Sequence, residues 1–205
     1  MKSVKWCENV ILVDGDHLDK VTFNLIVNFE RMLARRIPNA DLPHWLDCVA
    51  LDSGLRPTND SPNNVQVIFL HRNGQLANFN PADYSSFNGQ AFKDDIAEFA
   101  LIDAPIGDSD EETLSMENIF CDVLQPLLLE KGIKRLMLIP NAEVYINKVK
   151  QTVKTALSSA DYSLKDIIVF AMQPIAANSF KSEILGYSLM SALGISSKEI
   201  EEGLR

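Results

Sequence analysis

An unbroken apolar run, Val10-Ile11-Leu12-Val13, ends abruptly in Asp14-Gly15-Asp16. Such a run, without polar alternation, is the pattern of a strand buried on both faces. Beyond it the period changes. Leu18, Val21, Leu25, Phe29, Met32 and Leu33 recur at helical spacing, which predicts a helix from Leu18 to Arg36, with Asp16 as its N-cap and Pro38 just past its end. Further strands are predicted at Leu46 to Leu51, Val65 to Leu70, Glu98 to Ile102, Arg135 to Ile139 and Asp166 to Met172. Helices are predicted over Ser115 to Lys131, capped by Ser115, kinked at Pro126 and stopped by Gly132, and over Glu143 to Leu157, where Val144, Ile146, Val149, Val153 and Leu157 are apolar. A last helix is expected at Lys181 to Leu193, and Ser197 to Leu204 adds a turn or two.

Apolar strands alternating with helices predict a three-layer α/β/α sandwich around a mostly parallel sheet. No linker, internal repeat or low-complexity tract divides the chain, so residues 1–205 read as one domain with a C-terminal helical extension over about 178–205. Two stretches lack a clear period, Pro57 to Asn64 and Asn73 to Gln90. The second is rich in Asn and aromatics and reads as a lid or as a surface-packed insertion.

In an open parallel sheet, ligands bind outside the carboxyl ends of the strands. Asp14, Asp52, His71 and Asp103 end the first four predicted strands, and Pro140-Asn141 ends the fifth. Aspartates gathered on one sheet edge repel unless protons or a hard cation such as Mg²⁺ neutralise them, and a metal so held can activate water against a phosphodiester. The structural alternative is that each Asp simply forms a turn or caps a helix. Asp14-Gly15-Asp16 offers one carboxylate for each purpose. His17, His44 and His71 show no paired ligand spacing. Cys121 lies beside Ile119 and Phe120 in a predicted helix and reads as buried.

Composition narrows the setting. The 205 residues carry 19 Lys+Arg and 28 Asp+Glu, a formal charge of −9. Spread evenly, that charge would oppose nucleic-acid binding. It is not spread evenly: Asp94 to Glu130 contains eleven acidic residues and no Lys or Arg, which leaves the rest of the chain at +2. RNA is therefore not excluded as a partner. The acidic segment predicts a cation-attracting or partner-facing edge, with Asp108 to Glu112 as a solvated loop. Cys7, Cys48 and Cys121 form no CxxC pair, and no signal-peptide pattern or apolar span of ~18 residues occurs, which together predict a cytoplasmic protein with no membrane segment.

The stretch from Val10 to Leu18, four apolar residues followed by Asp-Gly-Asp-His-Leu, resembles the opening of NYN domains, which are PIN-like nucleases. Asn118 to Leu129 resembles that family's acidic helix. Arg135 to Tyr145 stands where the family has a strand followed by Ser-Gly-Asp-Ser-Asp. The resemblance spans about Val10 to Met172 in order of elements. It implies a parallel sheet and an RNA-cleaving site holding Mg²⁺ or Mn²⁺, with Asp14 matching the first metal carboxylate and Asp122, or Glu117, near the second, and with Asp14 and Asp122 as the catalytic pair. The strand ends add Asp16 as a further metal ligand and Asp52, Asp103 and Asn141 as supporting residues, and Glu143 could stand in for a family aspartate only if its loop shifts. Pro140-Asn141-Ala142-Glu143-Val144 lacks both aspartates of the third family motif, so the implied site is degenerate.

Two other readings stand beside this one. A haloacid-dehalogenase-like phosphatase would use Asp14 as nucleophile and Asp16 as general acid. A non-enzymatic interaction module would keep the fold alone and bind a protein partner or a second copy, using the apolar face of the last helix around Leu185, Leu189 and Leu193.

Overall fold

The computed structural model describes residues 5–58, 62–87, 89–93, 96–107, 115–159 and 162–203. Its elements run β1 (Asn9–Asp14), α1 (Gly15–Leu33), β2 (Ala40–Asp41), α2 (Leu42–Asp52), β3 (Asn63–His71), β4 (Phe79–Asn80), α3 (Tyr84–Phe87), β5 (Ala91–Lys93), β6 (Ala97–Pro105), α4 (Met116–Leu129), β7 (Arg135–Ile139), α5 (Ala142–Leu157), β8 (Asp166–Ala171), β9 (Lys181–Ile184), α6 (Leu185–Ala192) and α7 (Ser197–Gly203). Among the described residues, seven strands form the main sheet in the order β5-β6-β3-β1-β7-β8-β9, and β2 pairs with β4 apart from it. Every neighbouring pair in the main sheet is parallel except β5 with β6.

Numbered along the chain, the parallel strands lie in the order 3-2-1-4-5-6. The chain therefore winds outward from β1 in one direction through β3 and β6, then returns to β7 on the other side. The direction reverses between β1 and β7, and a doubly wound sheet opens its ligand crevice at that switch point. β1 is the central strand. Ile11 sits between Val67 and Met137, and Val13 between Phe69 and Ile139.

Val10, Ile11, Leu12 and Val13 are each fully buried because successive side chains enter different cores. Ile11 and Val13 join a cluster with residues of α1, α2 and α6. Val10 and Leu12 join another with residues of α4 and α5. Each such side chain contributes about 1.5–3 kcal/mol by leaving water. The run of four apolar residues is thus the signature of two helical layers sharing one strand.

Two predicted elements change type. Leu46 to Leu51 is helical, not a strand. Trp45, Leu46, Val49 and Ala50 are buried at helical spacing. Pro43 sits in the first turn of α2, and the Asp41 side chain caps it by accepting from the His44 amide at 3.0 Å. Lys181 to Leu193 divides: Lys181–Ile184 is an edge strand paired with β8, and only Leu185–Ala192 is helical. Leu185, Leu189 and Leu193 are fully buried in the same cluster as Phe170 of β8, so the apolar face of α6 covers the sheet. Ser115 caps α4 as expected, and at its other end Lys165 Nζ donates to the Leu127 and Glu130 carbonyls at 3.3 and 2.8 Å. The described residues between Asn73 and Gln90 include β4 and α3, with Leu76, Phe79 and Tyr84 buried and Phe79 set edge-on against Trp45 at 5.8 Å, so they pack as an insertion. Asp108 to Glu112 lies outside the described residues.

β1 passes into α1 with no loop, and Gly15 makes this passage sterically feasible. A Cβ there would stand 2.2 Å from Tyr84 Oη and 3.2 Å from the Leu70 carbonyl oxygen. Gly15→Ala is expected to destabilise the fold by about 2–4 kcal/mol in urea denaturation. Tyr84→Phe in the same chain should recover part of that loss, because the nearest clash is with the hydroxyl. A Gly15→Ala variant as stable as the wild type would show that the two elements do not meet so closely.

Candidate functional site

Asp14 closes β1 in extended conformation and caps α1. Its Oδ1 accepts from the His17 amide at 3.0 Å, and its Oδ2 accepts from the Tyr145 hydroxyl at 2.7 Å. The residue is 3% exposed. Burial raises its pKa; the His17 amide, the Tyr145 hydroxyl and the Asn141 amide oppose that rise, and the Asp16 charge adds to it. Tyr145 leaves helical dihedrals within the first turn of α5, and its ring packs against Phe120 of α4 at 5.7 Å. The tyrosine thus stands between Asp14 and α4.

The cap expected of Asp16 therefore belongs to Asp14. Asp16 instead accepts from the Arg72 and Asn73 amides at 3.0 and 3.1 Å. Asp19 accepts from the Asn78 amide at 2.8 Å and from its side chain at 3.0 Å. These two carboxylates fasten the chain after β3 onto the first turns of α1. The fastening continues through His71, whose Nε2 contacts Asp103 and whose ring stacks on Tyr84 at 3.7 Å.

The remaining acidic candidates are spread over α2, β6, α4 and α5. Glu117 forms an ion pair with Lys148 of α5 at 3.5 Å, and Lys148 also contacts Asn118. Asp122 is exposed, about 9 Å further along α4 than Met116. Asp52 ends α2 rather than a strand, and its neighbouring charges are Glu183 and Arg56. Asp103 lies within β6, two residues before its end. Glu143 is exposed on the first turn of α5. Among the described residues no group of three His, Cys, Asp or Glu side chains is placed to hold a metal ion. Asp14 and Asp16 each accept two hydrogen bonds from the protein, and Glu117 pairs with Lys148.

What does open at the switch point is a cleft of about 220 Å³. One wall is a stripe of α1, His17, Lys20, Asn24 and Asn28, spaced three or four residues apart and so on one face. The other wall is the start of α5, with Asn141 and Glu143. Val21, Leu25 and Met172 supply apolar surface. His17 is 6% exposed, and burial, with Lys20 nearby, lowers its pKa to about 4, so the imidazole is neutral at physiological pH. Asn141 is the N-cap residue of α5, yet its side chain makes no capping bond and its Oδ1 is buried without a hydrogen-bond partner. A larger cavity of about 730 Å³ lies at the opposite, amino-terminal edge of the sheet, beside Trp6, Asn9 and Asn63.

Sequence reasoning named Asn141 and Glu143 but missed Tyr145, His17, Lys20, Asn24 and Asn28. The α1 residues read as the polar face of an amphipathic helix. Their available signal was an amide-rich stripe that begins at a strand end. For Tyr145 there was none, because its role depends on a neighbour 131 residues away.

The chain belongs to a family of unknown function, DUF6621, whose model matches residues 3–200. No curated protein and no solved structure matches it.

Removing the hydroxyl in Tyr145→Phe leaves a buried carboxylate oxygen without its donor. This should cost about 1.5–3 kcal/mol in chemical denaturation and push the Asp14 pKa further up; a change below ~0.5 kcal/mol would contradict the bridge. The depressed His17 pKa gives a second test. As pH falls below 6.5 the unfolded chain takes up the proton first, so stability drops until about pH 4, by an amount on the order of 3 kcal/mol. Asp14, with a raised pKa, works in the opposite sense, so the contribution of His17 is read as the difference between wild type and His17→Gln. Identical pH profiles for the two proteins would refute a neutral buried imidazole.

Proposed function

We propose that this DUF6621 domain is a non-catalytic binding module built on a doubly wound, Rossmann-like sheet, with the switch-point cleft as its ligand site. The observation that carries the proposal is the state of Asp14. Both of its oxygens accept hydrogen bonds within the protein, and the residue is almost wholly buried. A hard cation requires oxygens that point into an open site alongside other carboxylates. A nucleophilic carboxylate of the phosphatase kind likewise requires a free oxygen facing substrate. The PIN/NYN-like architecture suggested by Val10 to Leu18 remains part of this proposal. In it the Asp-Gly-Asp motif persists as a structural fastening, and the loss of the Ser-Gly-Asp-Ser-Asp motif after β7 belongs with the loss of hydrolysis.

No described helix is long and apolar enough to cross a membrane. The three cysteines are free, which supports a reducing, cytoplasmic setting.

Wild-type protein incubated with single-stranded and hairpin RNA at millimolar Mg²⁺ or Mn²⁺ is expected to leave both intact. Asp14→Asn is expected to fold, because the amide oxygen can still accept from the His17 amide and the Tyr145 hydroxyl can turn to accept from the amide nitrogen. RNA cleavage that requires the metal and disappears in Asp14→Asn would overturn the proposal in favour of the nuclease.

A further inference from the structure

The polar side chains around the cleft are unusual in one respect. His17, Lys20, Asn24, Asn28, Asn141 and Glu143 all line it, and among the described residues none of these side chains donates to, accepts from or ion-pairs with another protein group. For exposed Lys20, Asn24 and Asn28 water is the ordinary partner. For the buried Oδ1 of Asn141 an unmade hydrogen bond costs about 1–3 kcal/mol, and the His17 ring, 6% exposed, borders the cleft without an internal partner. Groups in that condition at the edge of a cleft are positioned for a ligand.

The charges specify which ligand. Lys20 stands on the α1 wall, and Glu143 on the α5 wall. A lone anion would meet the Glu143 carboxylate, and a lone cation would meet the Lys20 ammonium. A purely apolar molecule would leave the amides and the imidazole unsatisfied. The N-terminus of α5 does not favour an anion outright, because Glu143 in its first turn already offsets the positive end of the helix dipole. Size narrows the choice further. At about 220 Å³ the cleft has room for a molecule of amino-acid size.

We infer that the cleft between α1 and the start of α5 binds a small zwitterion, a free amino acid by chemical class, with its carboxylate on Lys20 and its ammonium group on Glu143. Asn24 and Asn28 hydrogen-bond the polar part of its body, and Val21, Leu25 and Met172 pack against its methylenes. The neutral His17 imidazole has both a donor and an acceptor and serves either head group. This inference rests on the cleft being the binding module's ligand site.

The test titrates the full chain with glutamine and with 4-aminobutyrate, and in parallel with butyrate and butylamine, following amide shifts by NMR and affinity by calorimetry. At least one zwitterion should saturate shifts at Lys20, Asn28 and Asn141, at least tenfold more tightly than either singly charged analogue. Lys20→Gln and Glu143→Gln, both surface substitutions expected to leave the melting temperature unchanged, should each weaken that zwitterion tenfold or more. Lys20→Gln should also narrow its advantage over butylamine, and Glu143→Gln its advantage over butyrate. The inference is overturned if no probe saturates shifts at the cleft, if butyrate or butylamine binds as well as the zwitterion, or if both variants bind like wild type. Butyrate binding alone would retain a binding module and reject the zwitterion. Metal-dependent RNA cleavage would reject the module whatever the titrations show.

Discussion

A buried carboxylate bridges the two halves of this protein. Asp14 belongs to β1 and α1, and Tyr145 to α5, on the far side of the point where the sheet reverses direction. Removing a carboxylate from water is expensive, and its raised pKa reflects that cost. The His17 amide and the Tyr145 hydroxyl offset it. Once those donors are in place the carboxylate becomes a constraint, because moving either helix would strand a charge in a low-dielectric interior. The first turns of α1 and α5 are therefore held at a fixed separation, and the cleft between them inherits its width from this one bond.

The other fastenings extend the same logic outward. Gly15 lets Tyr84 approach the backbone where β1 becomes α1, and Tyr84 in turn carries the His71 ring. Asp16 and Asp19 draw in the segment after β3 by its backbone amides. The acidic opening of α1 thus has its carboxylates divided among a cap, a bridge and two loop anchors. The polar residues further along the same helix, Lys20, Asn24 and Asn28, carry no such obligation and border open space.

Legibility from sequence followed the range of the interactions. The strands at Val10 to Val13, Val65 to Leu70 and Arg135 to Ile139 were readable because burial on both faces forces a local apolar run. The helix from Glu143 to Leu157 was readable from its period. Leu46 to Leu51 misled because six residues of a mostly buried helix look like a strand; the decisive signals, Asp41 as cap and Pro43 in the first turn, lay upstream of the run. Lys181 to Ile184 misled for a related reason. A four-residue edge strand running directly into a helix offers no boundary, and its pairing with Ile168 to Ala171 is non-local. The candidate site was legible only as a place. The strand ends pointed to the edge of the sheet where the cleft opens, but Asp52 followed the mistaken strand, and Glu117 pairs with Lys148.

An aspartate at the end of a buried strand has two uses, and the letters do not distinguish them. It can accept hydrogen bonds from the protein or offer its oxygens to a cation and substrate. The choice depends on how many donors reach it and on how much water it sees, and both are set by distant residues. Here Tyr145 reaches Asp14 from 131 positions away, and the backbone of Arg72 and Asn73 reaches Asp16 from more than fifty. A motif can therefore persist under structural selection alone, because removing the acceptor oxygens at either position would unfasten a helix or a loop. The resemblance at Val10 to Leu18 is consequently strong grounds for a strand, a tight passage and a helix, and weak grounds for hydrolysis. The residues open to solvent at the same switch point, Lys20, Asn24 and Asn28, carry no motif and border the cleft.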